Sequence, residues 1–67
     1  MRKKIKLKYD GKKYEVIGVL DEDEFLPFPE SVFRIEGKTF IDIGSNYSAD
    51  MYDYICSQLD KAFEKRY

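Results

Sequence analysis

Cys56 is the one thiol in a sequence of 67 residues that contains no histidine. A cysteine or serine nucleophile needs a base, or a cation that lowers its pKa, beside it. The commonest base is missing, and Cys56 falls at the edge of an apolar helix stripe, where it reads as a small packing residue. Acid–base catalysis by paired carboxylates requires surroundings that drive their pKa values apart. Here the acids stand in a loop run, Asp21, Glu22, Asp23 and Glu24, or on a helix face turned to water. These parts do not predict an enzyme.

The same acidic run offers oxygen atoms to a hard cation, but calcium loops space their ligands at alternating positions and turn at a glycine. That spacing is missing, and zinc lacks its usual histidine and cysteine set. Gly11, Gly18, Gly37 and Gly44 stand singly, so there is no phosphate-cradling loop. Neither cofactor nor metal is expected.

Two constellations remain. Lys4, Lys6 and Lys8 alternate along the first element and Lys13 lies across a turn, which places four ammonium groups on one sheet face. Such a ladder can contact phosphates. It is also the ordinary device that keeps a strand from pairing with strangers. Tyr9 and Tyr14, the rings near enough to stack on bases, belong to the core face in this reading, so nucleic acid is the lesser expectation. The second constellation is Phe25-Leu26-Pro27-Phe28-Pro29, with acids before it and Glu30 after it. It either folds back as a lid over the second sheet face or is presented outward, with Phe25 and Phe28 as anchors for a partner.

The lysine ladder needs a strand beneath it. Residues 3–9 alternate charged and apolar side chains, turning Ile5, Leu7 and Tyr9 to one face. Asp10-Gly11 is a preferred pair where a type I′ turn demands positive φ at both central residues. A two-residue loop sets Leu7 against Tyr14, Ile5 against Val16 and Lys6 against Glu15. A three-residue loop would set Leu7 against Lys13, so hydrophobic matching selects the first register. The second strand then runs from Lys12 to about Leu20, with Ile17 and Val19 on the outer face; a bulge at Gly18 would return Val19 to the core.

Pro27 and Pro29 are expected to keep residues 21–30 out of regular pairing. Residues 31–36 and 39–44 read as a second hairpin around Gly37-Lys38, with Phe33, Ile35, Ile41 and Ile43 sharing one parity and Val32, Arg34, Phe40 and Asp42 the other. Ser48 is a good N-cap for a C-terminal helix, with Asp50 in the first turn and Lys65 and Arg66 in the last, each suiting the helix dipole. Met51, Tyr52, Ile55, Leu59, Ala62 and Phe63 form its apolar stripe, and Tyr54 projects from the polar side. The order is β-β-β-β-α: an α+β fold with a four-stranded antiparallel sheet of two hairpins and one helix packed on one face. The other face, with the lysines toward one end and Ile17, Val19, Val32 and Phe40 elsewhere, is too apolar to be purely solvated.

Residues 1–67 read as a single small domain, and a domain near this size buries only about 60% of its unfolded surface. One cysteine excludes an internal disulfide, so the packing of five Phe and six Tyr rings has to suffice. The net charge of −1 predicts neither nucleic-acid nor membrane binding, but the charges are segregated. Residues 1–20 are strongly basic, whereas residues 21–30 hold acids alone. The basic start leads into an alternating pattern, not an apolar run, so neither a signal peptide nor a transmembrane span is read. The expected location is the cytoplasm, a host's cytoplasm for a viral chain.

Short chains rich in Lys, Tyr, Ile and Asp and without catalytic residues resemble, in kind, the accessory proteins of phages and other mobile elements, many of which bind and block one host protein. The expectation is a non-enzymatic protein-binding module, an inhibitor by that resemblance. It would act through Asp21, Glu22, Asp23, Glu24, Phe25 and Phe28, through the exposed sheet face, or through the helix's acidic side with Tyr54. The alternatives are a nucleic-acid-binding domain using Lys4, Lys6, Lys8 and Lys13, and a small ligand-binding homo-oligomer that pairs its second sheet face.

Overall fold

Asp10 and Gly11 both adopt positive φ, 50° and 76°, as a two-residue turn matching the twist of its strands requires. Around them β1 (Arg2–Tyr9) and β2 (Lys12–Val19) pair antiparallel, with Leu7 opposite Tyr14 and Ile5 opposite Val16. Hydrophobic matching thus selects the observed register. In this computed structural model, which describes residues 1–64, β3 (Phe28–Glu36) and β4 (Thr39–Asp42) complete an antiparallel sheet in the order β1-β2-β3-β4. A single helix, α1 (Ala49–Ala62), packs on one face. The fold is α+β, as the sequence predicts.

Ser48 caps the helix: its Oγ accepts the Met51 N–H at 3.2 Å, satisfying one of the free amides of the first turn. Lys65 and Arg66, expected in the last turn, lie outside the described residues. A cation from elsewhere serves that end. Lys3 Nζ donates to the Ala62 carbonyl at 2.6 Å and stands 5.5 Å above the Phe63 ring, placing positive charge at the negative pole of the helix dipole.

Met51, Ile55, Leu59 and Phe63 bury their side chains against Leu7, Tyr14, Val16 and Val32. Ile5, Tyr9, Leu20 and Ile43 close the margins. Each fully buried aliphatic side chain contributes about 1.5–3 kcal/mol. The helix passes so close to β2 that a Cβ on Gly18 would run into the Leu59 methyls. Gly18 is therefore a glycine because a helix crosses it.

A bulge does fall at this point, but on the partner strand and not at Gly18 itself. Ile17 pairs with Ser31 and Gly18 with Pro29, so Glu30 is the extra residue and belongs to β3. Val19 still pairs with Arg2 and remains outside the helix-side cluster. Pro29, expected to lie outside any pairing, is inside β3 beside this break, where a missing N–H is tolerated.

The second hairpin corrects another expectation. Its turn pairs Glu36 with Thr39, Ile35 with Phe40, Arg34 with Ile41 and Phe33 with Asp42. A two-residue turn sets each odd position against an even one, so parity inverts across it. Ile41 and Ile43 accordingly join Val32 and Arg34 on the helix side, while Phe33 and Ile35 join Phe40 and Asp42 on the outer side. Val32, expected on the outer face, is buried in the core.

Candidate functional site

The chain leaves the sheet after Val19 and re-enters it at Phe28, just past the buried Pro27. The base of the loop is tied to β1: the Met1 amine donates to the Leu20 carbonyl at 2.9 Å, and the Leu20 N–H donates to the Met1 carbonyl at 2.8 Å. Within it, the Glu24 N–H donates to the Asp21 carbonyl at 3.1 Å and closes a turn over Glu22 and Asp23. All four acids are exposed. Phe25 is 98% exposed and Leu26 66%, so neither covers the second sheet face. The lid reading fails for both residues. Phe28 is not a loop residue at all; it opens β3 opposite Val19.

Local desolvation, with a hydrogen bond and repulsion from Asp21 and further repulsion from Asp23, holds the Glu24 carboxyl above its ordinary value. Behind the loop, a crevice of about 490 Å³ separates it from the C-terminal end of α1 and is lined by Leu20, Phe25, Leu26, Pro27, Phe63 and the acids Glu24, Asp60 and Glu64.

On the outer sheet face Arg2, Lys4, Lys6 and Lys8 form a cationic column along β1. Lys8 faces Lys13 directly across the hairpin, and Lys6 faces Glu15. Like charges directly opposite destabilise a strand pair. Glu15 is buried, and Lys4 Nζ lies 3.9 Å from its carboxylate. Among the described residues Lys6, Lys8 and Lys13 make no ion pair. Next to the lysines in register come Phe33 beside Glu15, Ile35 beside Lys13, and Phe40 beside Ile35. A shallow groove of about 380 Å³ runs between Lys6, Lys8, Lys13 and Ile35.

Rings therefore do stand on the lysine face, although they are not the tyrosines. Tyr9 and Tyr14 lie on the helix side as expected, while Phe33 and the 51%-exposed Phe40 share the face with the cations. Phe40 is expected on this face from the sequence; applying the inverted parity of a two-residue turn to the second hairpin would have added Phe33.

Tyr54 is not a free ring on the polar helix face. It is half-buried and packs on Tyr9, with ring centroids 5.5 Å apart. Tyr52, expected in the apolar stripe, is the exposed ring and stacks on Tyr47. A hydrogen bond to the Cys56 side chain holds the Tyr52 phenol above its ordinary value, and burial does the same for Tyr47. Arg34, whose Nη2 pairs with Glu36 at 2.9 Å, borders a cleft of about 250 Å³ at the N-terminal end of α1 with Tyr9, Tyr14, Tyr47 and Met51.

Among the described residues no group of His, Cys, Asp and Glu is placed to hold a metal ion, and no helix is long and apolar enough to cross a membrane. No protein-family model, curated protein or solved structure matches the chain.

Proposed function

We propose that the chain is a non-enzymatic protein-binding module, of the inhibitor kind, that presents the acidic-aromatic loop to a basic surface with an apolar pocket on another protein. The observation that carries this reading is Phe25, held 98% exposed at the end of a run of four acids. Burying a side chain of this size yields about 1.5–3 kcal/mol. A domain with so thin a core leaves that contribution unused on Phe25. Aromatic anchors surrounded by charge are what interfaces use as their energetic centres, and the acids would steer the encounter with a cationic partner.

The test is capture of a partner from a bacterial lysate by the wild type and by Phe25→Ala/Leu26→Ala. Both side chains are largely exposed, and a thermal melt of the variant checks that it keeps its fold. Loss of a specific partner supports the loop; capture of the same partner by both proteins removes the loop from the interface.

A second reading is favoured by Phe33 and Phe40, which share one sheet face with the lysines, since rings on a face that also carries cations can stack on bases while the ammonium groups meet phosphates. Affinity for single-stranded nucleic acid would then fall steeply with salt and collapse in Lys8→Glu/Lys13→Glu. Absence of binding at low salt excludes it.

A further inference from the structure

We infer that the lysine-rimmed groove on the outer sheet face is a receptor for the acidic-aromatic loop of a second copy of the chain. The inference rests on the loop's role as a binding element and names an occupant for a surface that reading leaves empty.

The complementarity is chemical and local. The groove is lined by the apolar Ile35 and by Lys6, Lys8 and Lys13, and its volume of about 380 Å³ has room for an aromatic side chain. The loop offers one exposed ring, Phe25, directly preceded by four carboxylates. Lys8 and Lys13 are set directly opposite each other, an arrangement that repels until an anion comes between them. Opposite charges brought to the rim of an apolar contact fix register and speed association.

Within one molecule the contact is blocked by distance along the strands. The loop adjoins the Arg2 and Val19 end of the first hairpin, whereas the groove lies at its Asp10-Gly11 end, where Lys8 pairs with Lys13. The loop of another copy has no such constraint. Exchanged reciprocally, two such contacts make a closed pair; passed on in one direction, they make an open chain.

Sedimentation equilibrium at low salt tests this with two variants of the full chain. Lys8→Glu/Lys13→Glu spoils the groove and leaves the loop, while Phe25→Ser/Leu26→Ser spoils the loop and leaves the groove. The wild type is expected to self-associate, and to do so less as salt rises. Each variant alone is expected to be monomeric. An equimolar mixture of the two is expected to form one-to-one pairs, because each supplies what the other lacks. A monomeric wild type, association that survives either variant, or a mixture that stays monomeric overturns the inference. So does a short single-stranded oligonucleotide that binds the groove while the wild type stays monomeric.

A third substitution separates binding from folding. Lys13→Glu alone turns the repelling cross-strand pair into an attracting one, so the melting temperature should rise while self-association falls. A parallel fall of both would assign the lysine to the fold and overturn the inference. Should the wild type stay monomeric yet capture another protein through Phe25, the loop's proposed function stands without this contact. Self-association with no other partner captured has the opposite meaning.

Discussion

On the helix side of the sheet, Leu7, Tyr14, Val16 and Val32 lie buried beneath Met51, Ile55 and Leu59. On the outer side, Val19 and Glu15 are buried, Ile17, Phe33 and Ile35 are only half-buried, and Phe40 stands in solvent on β4, at the edge of the sheet opposite the cationic column of β1. Both faces are built on the same strands with the same alternation. The difference teaches that the helix closes one layer of contacts, while the other is left open around its exposed side chains.

Substitutions can break that contrast or sharpen it. Leu59→Ala should cost about 2–5 kcal/mol in urea denaturation, most of the about 3–10 kcal/mol available to a domain of this length. Phe40→Ser on the other face should stay within about 0.5 kcal/mol of wild type. Comparable losses from the two would dissolve the distinction between the faces. Gly18→Val should cost about 1–3 kcal/mol by overpacking against Leu59. A cost near zero would show that the helix can lift away from β2.

Lys3→Met keeps the aliphatic stem of the side chain and removes its charge from the helix end, and should cost about 0.3–1 kcal/mol, less at high salt. Any loop-dependent binding should also weaken in mild acid. Glu24, with its pKa raised in the folded loop, takes up its proton at a higher pH than an ordinary glutamate and so removes one carboxylate from the interface. The effect on stability has the opposite sign, because a raised carboxyl pKa favours the neutral form in the folded state. Binding followed from neutral pH down into acid should lose the earliest part of this limb in Glu24→Gln.

The first hairpin was legible in the sequence down to its register, because Asp10-Gly11 and the alternation of Ile5, Leu7, Tyr14 and Val16 all demand one pairing. The second was legible as a hairpin but not as two faces, since Val32, Phe33, Ile35, Phe40, Ile41 and Ile43 supply apolar side chains on both parities. Only the turn geometry distinguishes them. The exposure of Phe25 could not be read from composition, because a greasy loop has the same sequence whether it folds inward or not. Tyr54 was misplaced for a related reason: a helical wheel shows the angle of a side chain but not the neighbour, here Tyr9, that reaches round to meet it.

Lys3 and Ala62 are hydrogen bonded across 59 positions of the chain. Every strand, by contrast, pairs with its neighbour in sequence. Loops that are short close early and long-range contacts close late, so the sheet is expected to assemble as a zipper before α1 settles across it. The seam between β1 and the end of the helix would then be the last stitch in folding and the first to slip, and amide hydrogen exchange should find its fastest-opening helical protons there.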